Sequence, residues 1–385
     1  MQRSTDRIRT THVGSLARPP ALLDLMRAAA AGQPVDPAEL AGQERTAVAD
    51  VVARQRAAGL DVVSDGEQTK TGFFAYIGER LSGFERRPGR DPLAGFRAEI
   101  DSFPEYYEQY LKGAMTGGMA APAVPLACTG PVSYTGHERL RRDLGHLRAA
   151  AGDAPPDEVF VCAVAPSGVG GNEYYPTEAA YLDAVADALH EEYAAIVAAG
   201  FTLQIDDPFL TDVFSYGAGS REATLERARL YVNAINRSLR GIPPERVRLH
   251  TCYGINEGPR VHDAPLADYV DTLFTIQAGA FSFEAANPRH EHVYHVFEAV
   301  KPPLEAVLLP GVISHATSIV EHPDTVADRI VRFAELVGRE NVVASADCGF
   351  SSQATYHPEI HPDIVWAKFE SLAEGARRAT ARLWP

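Results

Sequence analysis

The chain has 385 residues, 45% of them hydrophobic and 23% charged, the balance of a globular protein with room for a large core. Its formal net charge of -15 argues against nucleic acid or an anionic membrane surface as a partner. No apolar run is long enough to span a bilayer, no apolar stretch follows the charged start Met1–Arg9, and the four cysteines are scattered, so a cytoplasmic protein without a disulfide framework is expected.

Residues 8–13 alternate and are β-branched, which predicts a strand, stopped at Gly14-Ser15. Helices are expected over 20–31 and 37–58, each opened by a proline at its first position. Gly59 ends the second, and 60–64 is a strand running into Asp65-Gly66-Glu67. The segment from about Phe73 to Ala120 breaks this rhythm with aromatics and glycines, and is expected to be an irregular, partly helical excursion over one mouth of the fold. Residues 124–134, with Cys128, read as a strand pair or hairpin. Alternation then resumes: strand 159–164, helix 177–199, and strand 202–205 ending in Asp206-Asp207-Pro208. A helix over 221–239 leads to a strand that ends in His250-Thr251-Cys252-Tyr253. Next come a helix near 267–277, a strand ending at Glu284, a helix near 293–300, strand 307–312, helix 323–337, strand 341–345 and a closing helix 362–383. Setting the 124–134 piece aside leaves eight βα units, hence a single α/β domain over 1–385, a (β/α)8 TIM barrel with an irregular insertion at about 73–135 after its second strand.

In such a barrel chemistry gathers where the strands end. Those ends carry Ser15, Glu67, Asp206, His250 with Cys252, Glu284, His315 and Cys348. Side chains two apart on an extended backbone point the same way, so His250 and Cys252 can converge on one point. Together with Glu284 and Cys348 they make an N, S, O, S set suited to zinc and ill suited to magnesium or calcium. The carboxylate is the weakest of these partners, and a substrate thiol could take its place and be held as thiolate.

The motifs Thr11-His12-Val13-Gly14-Ser15, Asp65-Gly66-Glu67, Gln204-Ile205-Asp206-Asp207-Pro208, His250-Thr251-Cys252-Tyr253, the strand ending in Glu284, and Asp347-Cys348-Gly349 occur in this order. As an ordered set over nearly the whole chain, they resemble the catalytic domain of cobalamin-independent methionine synthase and its single-barrel relatives, including epoxyalkane:coenzyme M transferases. The resemblance implies a barrel whose Zn2+, held by His250, Cys252, Glu284 and Cys348, activates a thiol for alkylation. It places Ser15, Glu67 and Asp206 in an amino-acid thiol pocket, with the carboxylates on the ammonium group. His315 is the implied proton donor, although Gly311-Val312-Ile313-Ser314-His315 sets it one residue earlier than the family spacing. The full-length synthase also carries a second barrel that helps hold polyglutamylated folate, for which this chain has no room.

The expected activity is a zinc-dependent methyl transfer to the thiol of an amino acid such as homocysteine, from a methyl or alkyl donor that the sequence does not name. Two other readings stay open: opening of an epoxide by a sulfonate thiol, with Arg18 or Arg289 as anion partner, and a non-catalytic zinc- or thiol-binding barrel. Cys128 and Cys162 read as small apolar strand residues. His290, His292 and His295 read as surface residues or as support behind the site. Partners are expected to be small molecules, with a second copy of the chain open.

Overall fold

The computed structural model describes residues 2–91, 93–115, 118–122, 124–217, 219–254 and 257–384. Among these, the strands are β1 (Arg9–Thr10), β2 (Val63–Ser64), β3 (Leu81–Arg86), β4 (Leu126–Tyr134), β5 (Val159–Val164), β6 (Gly171–Asn172), β7 (Thr202–Asp206), β8 (Val247–His250), β9 (Ala280–Phe283), β10 (Val307–Ile313) and β11 (Val343–Ala346). The helices are α1 (Pro20–Ala30), α2 (Pro37–Ala57), α3 (Arg97–Ser102), α4 (Pro104–Tyr110), α5 (His137–Ala151), α6 (Glu178–Ala198), α7 (Phe209–Tyr216), α8 (Arg221–Ser238), α9 (Val270–Leu273), α10 (Val296–Ala299), α11 (Pro323–Val337) and α12 (Pro362–Leu383).

Eight strands form one parallel sheet in the order β1, β11, β10, β9, β8, β7, β5, β2. Its two ends meet, because the Thr10 carbonyl accepts from the backbone N–H groups of Asp61 and Val62 at 3.1 and 3.0 Å. The Thr10 N–H donates to the Asp61 carboxylate at 2.8 Å, and the Thr11 hydroxyl to the Val62 carbonyl at 3.2 Å. The expected eight-stranded barrel is therefore present. No described helix is long and apolar enough to cross a membrane.

Period-two alternation sorts the side chains. Leu203, Ile205, Val247, Leu249, Phe281 and Phe283 turn outward into the shell packed under the helices. Thr202, Gln204, Arg248, His250, Ala280 and Ser282 take the other face, and all are buried. Low in the barrel this face is apolar, with Ala280, Val307, Leu309 and Val343 in one cluster and Val62, Phe160 and Cys162 in another. Arg248 crosses the interior, its guanidinium 4.0 Å from the Phe160 ring centroid and donating to the Thr11 hydroxyl and the His12 carbonyl.

Three elements differ from expectation. Of residues 124–134, Leu126–Tyr134 form one strand and not a hairpin: β4 pairs antiparallel with β3, with β6 along its other side. Gly130 and Pro131 lie in a stretch looped out opposite Gly83, where the ladder shifts register and a proline needs no N–H. The strand β3 inside the aromatic excursion carried no sequence signal. The helix expected near 267–277 is only α9, preceded by a tight turn over Leu266–Asp268, because Tyr269 at φ -134° interrupts it.

The root of the small sheet is fastened to the barrel helices by buried charge. Arg80 lies 2.5 Å from Asp143 of α5 and 3.2 Å from Glu192 of α6. Tyr76 and Tyr134 donate to the two oxygens of Glu192 at 3.0 and 2.7 Å. Removing the cation strands a buried carboxylate held only by tyrosine hydroxyls. Arg80→Ala is therefore expected to lower unfolding free energy by about 3–5 kcal/mol, read as a shift of the urea midpoint.

Candidate metal and thiol site

Two strand ends bring His250, Cys252 and Cys348 together, the first two from β8 and the third from β11. One ligand atom from each lies within 4.8 Å of the other two, and all three residues are buried. His250 Nδ1 is 3.0 Å from the Ser282 hydroxyl, which leaves Nε2 as the nitrogen that faces the thiols. That Nε2 is buried and has no hydrogen-bond partner. Burial holds the imidazole neutral, its pKa pushed down to about 3. The Cys348 thiol is pushed up, chiefly by the hydrogen bond it donates to Cys252 and by burial. An orphaned imidazole nitrogen beside two thiols fits a soft, thiophilic cation such as zinc, and the serine behind the imidazole fits the usual support of a metal-bound histidine.

The fourth expected ligand, Glu284, is not gathered with these three. Arg260 reaches its Oε1 and Oε2 at 2.8 and 2.7 Å, and the Asn287 amide also donates to Oε2 at 2.7 Å. Although burial opposes it, Arg260 holds the Glu284 carboxyl far below the usual carboxylate range. Arg260 also pairs with Asp263 at 2.9 Å, and Asp263 takes the His290 ring at 2.8 Å. His290, stacked on Tyr253 at 4.3 Å, thus supports the site from behind, while exposed His295 pairs with Glu298. No sequence signal pointed to Arg260, which lies in a loop and meets Glu284 only through the fold.

His315 stands with Glu284 and Asp347, one atom of each within 4.8 Å of the others, and its Nδ1 is buried without a partner. Burial lowers its pKa to about 4, so the ring is neutral at pH 7. Asp347 itself is committed to backbone, accepting from Ala285, Ala286 and Asn287 at 2.7, 2.7 and 2.8 Å.

Glu67 and Asp206 form a second group, with Cys162 between them, ligand atoms again within 4.8 Å. Glu67 sits at φ +55°, a conformation that costs a non-glycine residue of order 1 kcal/mol or more, and its Oε2 is buried and partnerless. Burial, with Glu67 beside it, pushes the Asp206 carboxyl well above its ordinary value. Two acids that repel each other in a dry pocket form a receptor for a cation. Lys70 is close by, buried and bonded at 2.6 Å to the Cys162 carbonyl. Gly14, at φ +139°, is required here, since a Cβ would lie 2.4 Å from Cys162 Sγ.

One small cavity of about 30 Å³ has Ser15, Glu67, Asp206, His250, Cys252 and Cys348 in its wall, but neither Glu284 nor His315. Ser15 closes against Gly349, where a Cβ would sit 2.0 Å from the hydroxyl. Phe73, Pro208, Gly254 and Ser352 are shared with a second cavity of about 260 Å³ whose walls include several aromatic rings. The sequence-expected residues other than Glu284 and His315 thus face one space, with a larger apolar chamber beside it.

Residues 173–359 match the family described as the cobalamin-independent synthase, catalytic domain. The 5-methyltetrahydropteroyltriglutamate–homocysteine methyltransferase of Streptomyces avermitilis is 25% identical over 374 residues, which are 97% of this chain and 42% of that protein. A methionine synthase of Sulfolobus acidocaldarius is 27% identical over 249 residues, 64% of this chain and 61% of that protein. The chain thus spans less than two thirds of the length of these curated relatives. Among solved structures, a B12-independent methionine synthase from Shewanella sp. W3-18-1, in complex with selenomethionine, superposes with a TM-score of 0.68 at 20% identity, over 98% of this chain and 99% of that one. That likeness is one of fold.

Ser282 offers a test of how the imidazole is aimed. Ser282→Ala is expected to leave the fold intact and weaken zinc affinity by roughly 10–100-fold, while Cys252→Ser or Cys348→Ser loses most of the metal. Competition against a chromogenic chelator measures all three.

Proposed function

We propose that this chain, a relative of the cobalamin-independent methionine synthase catalytic domain, is a zinc-dependent methyltransferase that alkylates the thiol of an amino acid such as homocysteine. The observation that carries this reading is the partnerless His250 Nε2 set beside Cys252 and Cys348, in the same small cavity as the carboxylates Glu67 and Asp206. His250, Cys252 and Cys348 would hold the metal, and zinc bound there would supply the Lewis acidity that keeps a thiol ionised at neutral pH. Glu284, the fourth ligand that the motif order implies, is tied to Arg260 and Asn287, an arrangement that leaves a place for the substrate sulfur.

The protein's own groups then do the orienting. Glu67 and Asp206 take the substrate ammonium, and their mutual repulsion is relieved by the cation they receive. Ser15, pressed against Gly349, closes the wall beside Cys348. The apolar chamber next to this cavity receives the carbon donor and keeps water from the thiolate, so that the carbon has one nucleophile in reach. The methyl donor named for the Streptomyces relative, a pteroyl compound, is the first to try.

A sulfonate thiol fits less well. Its anion would lie beside two acids, and Arg18 is held by the carbonyls of Leu16, Ser351 and Lys70. Arg289 donates to the Val261 carbonyl.

The decisive experiment loads the purified protein with zinc and supplies homocysteine with 5-methyltetrahydropteroyltriglutamate or iodomethane. Methionine formation is expected. Thiol binding without alkylation by either donor would leave a non-catalytic binder. Asp206→Asn is expected to weaken homocysteine binding by a few kcal/mol, on the order of 10²-fold, and to weaken 3-mercaptopropionate, which lacks the ammonium, much less. Calorimetric titration of both thiols reads the difference, and equal losses would give Asp206 a structural role.

A further inference from the structure

The chamber beside the thiol site has aromatic walls, Phe73, Phe74, Phe96, Phe209 and Phe350 among them, and one carboxyl that nothing in the fold explains. Asp212 lies on α7, its N–H bonded to the Pro208 carbonyl at 3.1 Å. Residues four apart share a helix face. Pro208 lines both cavities, and Asp212 lines the chamber one turn further along. The helix thus carries its acid from the thiol cavity into the space proposed for the donor.

Asp212 Oδ1 is buried and has no hydrogen-bond partner. No described arginine, lysine or histidine pairs with Asp212. The charged groups that bear on it are acids: Asp207, at the start of the same turn, and Asp263, from the loop that follows Gly254. Asp207 is committed to the Leu210 N–H and the Ser167 hydroxyl, and Asp263 to Arg260 and His290. Tyr216 and Tyr231 are the other titratable groups that feel Asp212. Burial first, then Asp207 and Asp263, push the Asp212 carboxyl up to about 8. At neutral pH such a carboxyl holds its proton and has a hydrogen bond to offer a molecule in the chamber. His315, by contrast, is neutral and outside the walls of both cavities.

We propose that Asp212 is the acid of the reaction, protonating the donor heteroatom from which the methyl group departs. This rests on the methyltransferase reading above. The thiolate sulfur forms a bond to the methyl carbon as the carbon–nitrogen bond of an N-methyl donor breaks. The electron pair of that bond stays on nitrogen, which takes the proton from Asp212, and the resulting carboxylate is reprotonated from solvent after product leaves. The thiol's own proton departs earlier, when the sulfur ionises, so the balance needs no other reactant. Asp212 also selects the class of donor: a flat, largely apolar molecule whose leaving atom accepts a hydrogen bond.

The test compares two leaving groups in one protein. With zinc-loaded protein and homocysteine, transfer from 5-methyltetrahydropteroyltriglutamate requires a proton on the departing nitrogen, while transfer from iodomethane releases iodide and requires none. Asp212→Asn is expected to lower the first rate by about 10²–10⁴-fold and leave the second unchanged, which also reports that the variant is folded and loaded. Asp212→Glu should recover part of the amine-donor rate. An infrared difference spectrum between wild type and Asp212→Asn at neutral pH should show a protonated carboxyl stretch, independent of turnover. Equal loss with both donors, or none with either, overturns the assignment, as does a leaving-group-selective loss that appears in His315→Asn and not in Asp212→Asn. A wild type that methylates homocysteine from neither donor overturns the methyltransferase reading, and the acid with it.

Discussion

The closure of the barrel at Thr10 is the constraint on which the rest depends. The carbonyl of Thr10 takes two N–H groups from the start of the second barrel strand, while Thr11 continues the ladder to Ala344 on the other side. A sheet closed in this way has all its strand ends on one rim, so residues separated by hundreds of positions must face one another. Ser15 and Gly349 touch only because the first and last strands are neighbours. Asp206 lies level with His250, and His250 with Ser282, because the parallel register sets them side by side.

Charge inside that rim is organised by exclusion of water. Two buried sets of charges are matched within the fold: Glu284 with Arg260, and Arg80 with Asp143 and Glu192. Among the described buried atoms without hydrogen-bond partners, Glu67 Oε2, His250 Nε2 and Asp212 Oδ1 belong to residues in the walls of the two adjoining cavities. A protein interior rarely leaves such atoms unsatisfied, and doing so costs of order 1–3 kcal/mol for each. Placed in those walls, they suit the groups proposed to arrive from outside: a cation for Glu67 and Asp206, a metal for His250 with its cysteines, and a hydrogen-bond acceptor for Asp212.

Much of this was legible in the chain. Proline-opened helices, glycine stops and β-branched runs recur with a βα rhythm, and each expected barrel strand is found. The polar residues after those runs could be named because a strand that ends at a rim must place them there. The excursion after the second barrel strand was harder to read. Strand β3 is partly exposed and lacks a clean alternation, and β4 carries a glycine and a proline that locally signal a turn, yet the looped-out stretch opposite Gly83 accommodates both. Local propensity speaks for the residue and its near neighbours, and here the partner strand decided.

The sequence by itself determined the period of the strands, their number, and which imidazole, thiols and carboxylates stand at their ends, because alternation and strand termination are properties of a few consecutive residues. Only the tertiary structure decided how those groups divide. It set His250, Cys252 and Cys348 together and drew Glu284 away to Arg260. It placed His315 outside the walls, brought Asp212 up to the larger cavity, and set Cys162, which no motif marks as functional, against Glu67 and Asp206. Those choices depend on distances between separate strands and loops and on the burial that sets each group's charge, and neither is written in any short stretch of chain.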